Sequence, residues 1–311
     1  MKKIFAIISI LLVMTACTVE SVSENNTSSI SVSSIIRKNY NTATGEVINT
    51  RTTSVVNNKI QSITAINQNG QQSLVNYNYV NNNISLIETF RNGILFSKNH
   101  YIYDSDNKLI EYRTEAYDNL GQIAATNKNT FNRIQGIIYS EWTRNSLTSP
   151  IFIPISSSEM VLDLNLNQTY FKEFDHLNNE FKEKEAQYDA NNNIIKEEYF
   201  VLGPNGVYVS TLTNNYTYGT GINTLSFINL QSIGKENMML LYHLNSNAIN
   251  EFNVISVSPN QLMTFNSTFS PDITFAINNQ TNSDNYSLTN EFITLISNVL
   301  FARFDYEYLY N

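Results

Sequence analysis

A short phrase recurs along this chain and limits how far any element can run: a tyrosine-rich apolar stretch, a knot of Asp, Asn and Gly, then a fresh apolar start. Clear copies are Tyr77-Asn78-Tyr79 before Asn81-Asn82-Asn83-Ile84, and Tyr101-Ile102-Tyr103 before Asp104-Ser105-Asp106-Asn107-Lys108-Leu109. Others are Tyr117-Asp118-Asn119-Leu120-Gly121, Tyr188-Asp189-Ala190-Asn191-Asn192-Asn193-Ile194 and Tyr216-Thr217-Tyr218-Gly219-Thr220-Gly221. From Gly45 to Gly121 the turn signals fall about a dozen residues apart, the spacing of successive antiparallel hairpins and too close for ordinary helices. Between them lie Val, Ile, Thr, Tyr and Phe, which favour a pleated, half-buried surface. The Asn and Gly residues supply the positive φ that tight hairpins require.

Alternation sets the faces. In Leu109 to Ala116, Ile110, Tyr112, Thr114 and Ala116 share one side, and Glu111, Arg113 and Glu115 the other. A Tyr-x-Tyr pair puts both rings on one face at a strand end, where they pack across the ladder and reach polar partners with their hydroxyls. Building the sheet is the first role for these rings. A ligand-facing platform is the second, with Tyr77, Tyr79, Tyr101 and Tyr103 as its candidates.

Later strands carry charge on both faces, as in Phe181 to Tyr188 and Ile194 to Phe200. Unpaired charges are too costly to bury, so this region is expected to be wet on both sides, as in a single-layer sheet. Ser149-Pro150-Ile151-Phe152-Ile153-Pro154 reads as an edge or crossing segment, since Pro cannot donate to a central ladder, and the one internal boundary the sequence suggests lies near 145–155. In the last third, Leu225 to Leu244 has room for a short helix. Leu288 to Leu300 carries a helical stripe but β-branched content that favours extension, and Phe301 to Tyr310 alternates as a strand. The expected fold is all-β: an antiparallel β-meander of repeated hairpins forming an extended or curled, partly single-layer sheet, with at most one or two short helices in the C-terminal third.

The N-terminus reads as an address. Lys2-Lys3, an apolar run from Ile4 to Met14 and Thr15-Ala16-Cys17 form a secretory signal too short to span a membrane as a helix. The only cysteine of the chain stands where cleavage falls. The pattern resembles the bacterial lipoprotein signal, with Met14 where Leu is more common, and implies a diacylglycerol on Cys17. The expected organisation is a signal peptide over 1–16, a flexible Ser/Asn/Thr-rich tether over 17–29 and one elongated β-repeat domain over 30–311. With one cysteine, the mature chain forms no internal disulfide.

The repeated phrase resembles the tyrosine–aspartate (YD, RHS-like) repeats, and the layout is similar to YD-repeat-type lipoproteins of flavobacteria and other Bacteroidetes. In those a Tyr-x-Tyr, a turn and Ile-Asn-Pro open the C-terminal section; here Tyr216-Thr217-Tyr218 leads to Ile222-Asn223-Thr224. The resemblance implies a β-meander with no established activity.

Nothing in the sequence marks a catalytic centre. His100, His176 and His243 are widely separated and lack metal-ligand spacing. Hydrolase elbows, zinc helices, phosphate loops and dinucleotide fingerprints are missing. Asp104-x-Asp106 has Lys108 and Leu109 where a calcium loop needs an oxygen ligand and Gly. A net charge of −8 without a basic run argues against nucleic acid. The expectation is a non-catalytic outer-membrane lipoprotein with no cofactor. It meets the membrane through its lipid and acts as a scaffold or interaction surface for an envelope protein or a glycan. A glycan-binding lipoprotein is the alternative; an outer-membrane barrel and a carboxylate-dependent hydrolase rank below it. The sequence carries no signal for oligomeric state or for the leaflet faced.

Overall fold

The computed structural model describes residues 31–244, 257–268, 273–297 and 299–311. The first strands are β1 (Val32–Tyr40), β2 (Val47–Val56), β3 (Lys59–Asn67), β4 (Gln72–Val80), β5 (Asn83–Arg91), β6 (Ile94–Tyr103) and β7 (Leu109–Tyr117). They continue as β8 (Ile123–Ile134), β9 (Ile137–Ser146), β10 (Ser149–Leu162), β11 (Gln168–Asp175), β12 (Glu180–Tyr188), β13 (Ile194–Leu202) and β14 (Tyr208–Ile222). Helices α1 (Thr224–Ile233) and α2 (Lys235–Leu244) follow, then β15 (Asn260–Ser267), β16 (Ile273–Thr281), β17 (Ser287–Ile296) and β18 (Val299–Tyr310).

The turns obey the sequence rule. Asn57-Asn58, Asn81-Asn82 and Asn92-Gly93 take positive φ in two-residue hairpins. Longer turns share a side-chain cap. Asp104 Oδ1 accepts the amides of Asp106 and Lys108, Asp118 those of Leu120 and Gln122, Asp163 those of Asn165 and Asn167, and Asp189 those of Asn191 and Asn193. The aspartate of the repeated phrase is therefore a turn cap, and the bond from Lys108 N, with that from Asp106 N, holds the Asp104 carboxyl below its ordinary range.

All strands are antiparallel and join in one 18-stranded sheet. Ladders link successive strands, and β18 returns to pair with β1 from Val32↔Tyr310 to Asn39↔Phe304. The all-β antiparallel fold with two short helices is as expected, but the extended or curled, partly single-layer sheet is corrected: the sheet is nearly closed into a barrel. No local pattern announces the β1–β18 seam, because its partners stand at opposite ends of the described chain. β15 and β16 lie side by side, with the Phe265 and Phe275 rings 4.6 Å apart and Asn279 Nδ2 donating to Leu262 O at 2.8 Å. Pro150 and Pro154 sit where β10 pairs irregularly with β9 and before its ladder to β11 begins at Ser156, which suits residues lacking an N–H. Residues 287–296 and 299–310 are strands, and the helices occupy Thr224–Leu244.

One face of each strand turns inward to a shared core that includes Ile35, Ile63, Tyr77, Ile87, Tyr112, Tyr308 and both helices. The helices lie at the end where the even-numbered strands finish, and there the ladders stop early. At β3/β4 the last pair is Ser62↔Asn76, and beyond it Tyr79 OH donates to Ile60 O at 2.7 Å. The same offset recurs at β5/β6 (Leu86↔His100, then Tyr103 OH to Ile84 O, 2.9 Å) and at β11/β12 (Tyr170↔Glu185, then Tyr188 OH to Gln168 O, 2.8 Å). It appears again at β13/β14 (Lys196↔Asn215, then Tyr218 OH to Ile194 O, 2.8 Å) and at β17/β18 (Thr289↔Glu307, then Tyr310 OH to Ser287 O). At β7/β8, Arg133 takes the tyrosine's place: past Glu111↔Thr130, its Nη1 donates to Leu109 O at 3.0 Å. A phenol spans a gap that a backbone amide cannot, so the strands splay without leaving the carbonyl unsatisfied.

Replacing Tyr79 or Tyr218 by Phe keeps the ring and removes this bond. Each variant is expected to lose about 1–2 kcal/mol in urea unfolding. Burial pushes the Tyr79 phenol from 10.0 up to about 12. A raised folded-state value makes its contribution complete below the unfolded value of 10.0 and lost as pH climbs through about 12. Wild-type stability is therefore expected to fall over that alkaline window, and the Tyr79→Phe variant to fall less steeply.

Candidate functional site

The sheet wraps an interior whose chemistry changes with height. At the closed end, Asn223 caps α1 by accepting from Leu225 N and Ser226 N at 3.2 and 3.3 Å. Thr224 follows at the first helical position, where proline is also favoured, and its hydroxyl shares a 2.9 Å bond with Tyr310. Gly234, at φ 74°, reverses the chain into α2. Asn237 then locks α2 to the β6–β7 turn: its Oδ1 accepts from Leu109 N at 2.9 Å and its Nδ2 donates to Asn107 O at 3.0 Å. Glu236 accepts from Arg133 Nε at 2.7 Å and lies 3.6 Å from Lys108.

Beneath the helices sits an ionic cluster. Lys184 Nζ donates to Glu197 Oε1 at 2.7 Å, and Tyr242 and Tyr216 donate to the same carboxylate at 2.7 and 2.8 Å. Lys184 also lies 4.5 Å from the Tyr242 ring centroid. Lys184 and Glu197 are 5 % and 1 % exposed, which overturns the expectation that these strands are wet on both faces. Closure turns one charged face of β12 and β13 inward, where the two charges find each other. Burial lowers the lysine, with Glu197 opposing; burial would raise the carboxyl, but Lys184 and the tyrosine donors bring it net below its ordinary range. A carboxylate so fully engaged and sealed from solvent serves as an anchor for α2 and has no lone pair facing an open site.

The candidate aromatics of the repeat are interior. Tyr77 and Tyr101 are 8 % and 4 % exposed, the Tyr101 ring lies 5.1 Å from Tyr112, and Tyr79 and Tyr103 spend their hydroxyls on the splayed carbonyls. None of the four presents a flat face on the outside of the barrel. Cys17 lies outside the described residues, as does the side chain of His243. His100 stands 3.4 Å from Glu115, and His176 packs edge-on against Phe174 with centroids 4.8 Å apart, so the structure brings neither to the other. Among the described residues no cluster of His, Cys, Asp or Glu could hold a metal ion.

Two concavities stand out among the described residues. Near the end opposite the helices, Asn49, Asn67, Gln71, Gln72, Arg91 and Asn92 border a polar recess of about 370 Å³. Within the wall formed by β14–β18 is an apolar chamber of about 250 Å³, lined by Leu262, Phe265, Phe275, Ile277, Phe292 and Phe304 among others. Its rings pair across strands: Tyr216 on Phe265 at 5.1 Å, Phe265 on Phe275 at 4.6 Å and Phe292 on Phe304 at 4.8 Å. On β1, Arg37 lies over Phe304, 4.6 Å from its centroid, and Arg51 of β2 is its ladder partner. The sequence offered a signal for Phe304, on the alternating face of β18. Tyr216 belongs to the repeated phrase, but Leu262, Phe265, Phe275 and Phe292 carry no motif that would have joined them to it.

The outer face carries ion pairs in mid-strand. Lys98–Glu88 (3.1 Å), Lys128–Glu111 (3.0 Å), Lys196–Glu198 (2.7 Å) and Arg303–Glu291 (2.9 Å) all sit there, on four separate stretches of the wall. A bilayer-spanning barrel needs a continuous apolar band on that side.

No family model matches the chain, and no curated protein matches it. Among solved structures it is similar to a porin-like protein from Bacteroides uniformis (9 % identity, TM-score 0.36, covering 90 % of this chain and 96 % of that one). A porin-like protein from Bacteroides vulgatus gives 12 % identity and a TM-score of 0.34, covering 90 % and 98 %. The TcdB2-TccC3 structure gives 8 % identity and a TM-score of 0.27 over 85 % of this chain and 15 % of that one.

Removing one partner of the buried pair strands the other. Glu197→Ala is expected to cost about 3–5 kcal/mol in denaturant unfolding, whereas a Lys184→Met/Glu197→Leu double variant should recover most of that loss. Equal destabilisation by the single and double variants would contradict the anchoring role.

Proposed function

We propose that this chain is a non-catalytic, membrane-anchored cell-envelope lipoprotein of the YD-repeat type, held at the outer membrane through lipid on Cys17 and acting as a scaffold or interaction surface. The observation that carries this reading is the presence of mid-strand ion pairs on four stretches of the outer face, which favours a barrel standing in water over one immersed in lipid. The N-terminal run ending in Thr15-Ala16-Cys17 supports the anchor, since several acyl chains at about 0.8 kcal/mol per buried CH₂ hold a water-soluble body at a membrane surface. The engagement of Glu197 with Lys184, Tyr216 and Tyr242 supports the non-catalytic part. The Tyr-turn phrase, with Asn223-Thr224 opening α1 where the family has Asn-Pro, supports the kinship.

The test is metabolic labelling with palmitate. Wild type is expected to take up label and partition with membranes, and Cys17→Ala to lose the label and move to the soluble fraction without detergent. A Cys17→Ala variant that stays membrane-integral would reject the reading in favour of a spanning barrel.

A further inference from the structure

The polar recess at the end opposite the helices has a floor set by the ladder and an unbalanced set of hydrogen-bonding groups. Ala65 and Ser73 are ladder partners on the inward face, the face that Ile63 and Tyr77 continue toward the core. Arg51 pairs with Ala65 on one side and Arg91 with Ser73 on the other. Two short side chains between two long ones leave a depression of about 370 Å³. That is at the small end of ligand sites and has room for about one or two sugar rings. Ala65 is the only apolar residue lining it, so whatever enters must hydrogen-bond over nearly all of its surface.

The turns around the recess consume acceptors and leave donors. Asn67 Oδ1 accepts from Asn69 N and Gln71 N, both at 3.0 Å, and Asn67 Nδ2 donates to Gln71 Oε1 at 2.8 Å. Asn92 Oδ1 accepts from Gln72 N at 3.0 Å. Gln71 Nε2 and Asn92 Nδ2 are thereby the unengaged ends of their amides. Arg91 adds a third donor group: its guanidinium lies on the Phe96 ring, 3.4 Å from the centroid, and has no ion-pair partner among the described residues. Stacking occupies the face of the guanidinium and leaves its in-plane N–H groups free, the geometry that grips a carboxylate with two bonds. No carboxylate lines the recess. The side chains of Asn49, Gln72 and Ser73 can each donate and accept, which suits hydroxyl groups. A surplus of donors around one cation, beside groups that serve hydroxyls, matches a hydroxylated carboxylate.

We propose that this recess binds a sugar acid of the hexuronic type, its carboxylate on Arg91 and its hydroxyls on the amides of Asn49, Gln71, Gln72 and Asn92. This gives the proposed interaction surface a ligand class and rests on that part of the reading alone. A Cys17→Ala chain should bind as well as wild type, so the anchor and the recess fail separately. The test is titration of the full mature chain with methyl glucuronide and, separately, methyl glucoside, followed by saturation-transfer nuclear magnetic resonance. The glucuronide is expected to bind saturably and about tenfold more tightly than the glucoside. Arg91→Gln should remove that preference, weakening the glucuronide about tenfold and leaving the glucoside unchanged. Ala65→Leu, which raises the floor, should abolish binding of both while retaining the far-ultraviolet spectrum. Should that variant misfold, Ser73→Leu fills the same floor from β4. A glucuronide-ended trisaccharide that binds more tightly than methyl glucuronide would support the site and identify a glycan terminus as the source; equal binding would support it with a free sugar acid as the source. Absence of saturable transfer, a preference that survives Arg91→Gln, or binding that survives a folded floor variant would each overturn the proposal. So would displacement of the glucuronide by equimolar acetate, since a bare anion contact recognises no sugar.

Discussion

The hydrogen bond from a strand-end phenol to a carbonyl beyond the last ladder pair is the interaction on which this architecture depends. An antiparallel barrel whose strands stayed fully laddered to their tips would have no room for helices at its end. Opening the tips exposes carbonyls that water cannot reach once the helices are seated. Tyr79, Tyr103, Tyr188, Tyr218 and Tyr310 resolve the conflict, each donating to the adjacent strand at the same offset. Arg133 serves the same purpose at β7/β8 and at once holds Glu236 of α2. The repeat thus makes the splay and the plug mutually consistent.

That arrangement explains the distribution of polarity. The wall turns repeat tyrosines such as Tyr77 and Tyr101 inward, and its outer side carries mid-strand ion pairs beside exposed apolar side chains such as Ile102 and Phe96. Inside, Lys184 and Glu197 are held by each other and by two tyrosines, and Asn237 by the β6–β7 turn. The ionic cluster joins α2 to β12 and β13, so the wall and the plug share a buried pair whose separation would leave a stranded charge.

Much of the local structure was legible from residues. The turn positions, the positive φ of Asn57, Asn58, Asn81 and Asn82, the alternation of β18 and the helical segment before Leu244 follow from short-range chemistry. The aspartate of the phrase was legible as a turn signal, and its capping of two amides is what a side chain of that length does beside a tight reversal. The candidate site was less legible. Tyr77 and Tyr101 stood out as rings and prove to be core, whereas Phe265, Phe275 and Phe292 carry no motif and line the chamber.

The sequence by itself determined a chain of short antiparallel strands, their reversal points and which side chains share a face, because those depend on a residue and its near neighbours. Only the tertiary structure decided that the meander closes, since the pairing of Val32 with Tyr310 joins the two ends of the sheet and sums the twist of every strand between them. Closure in turn decided which of two charged faces became interior, pairing Lys184 with Glu197. It also gathered rings from β14 to β18 around one apolar pocket and stacked Arg37 on Phe304 at its far wall. The tyrosines that announced a repeat are the hinge between the two levels: their spacing is written locally, and the carbonyl each one reaches exists as an unmet acceptor only once the barrel has closed around its helices.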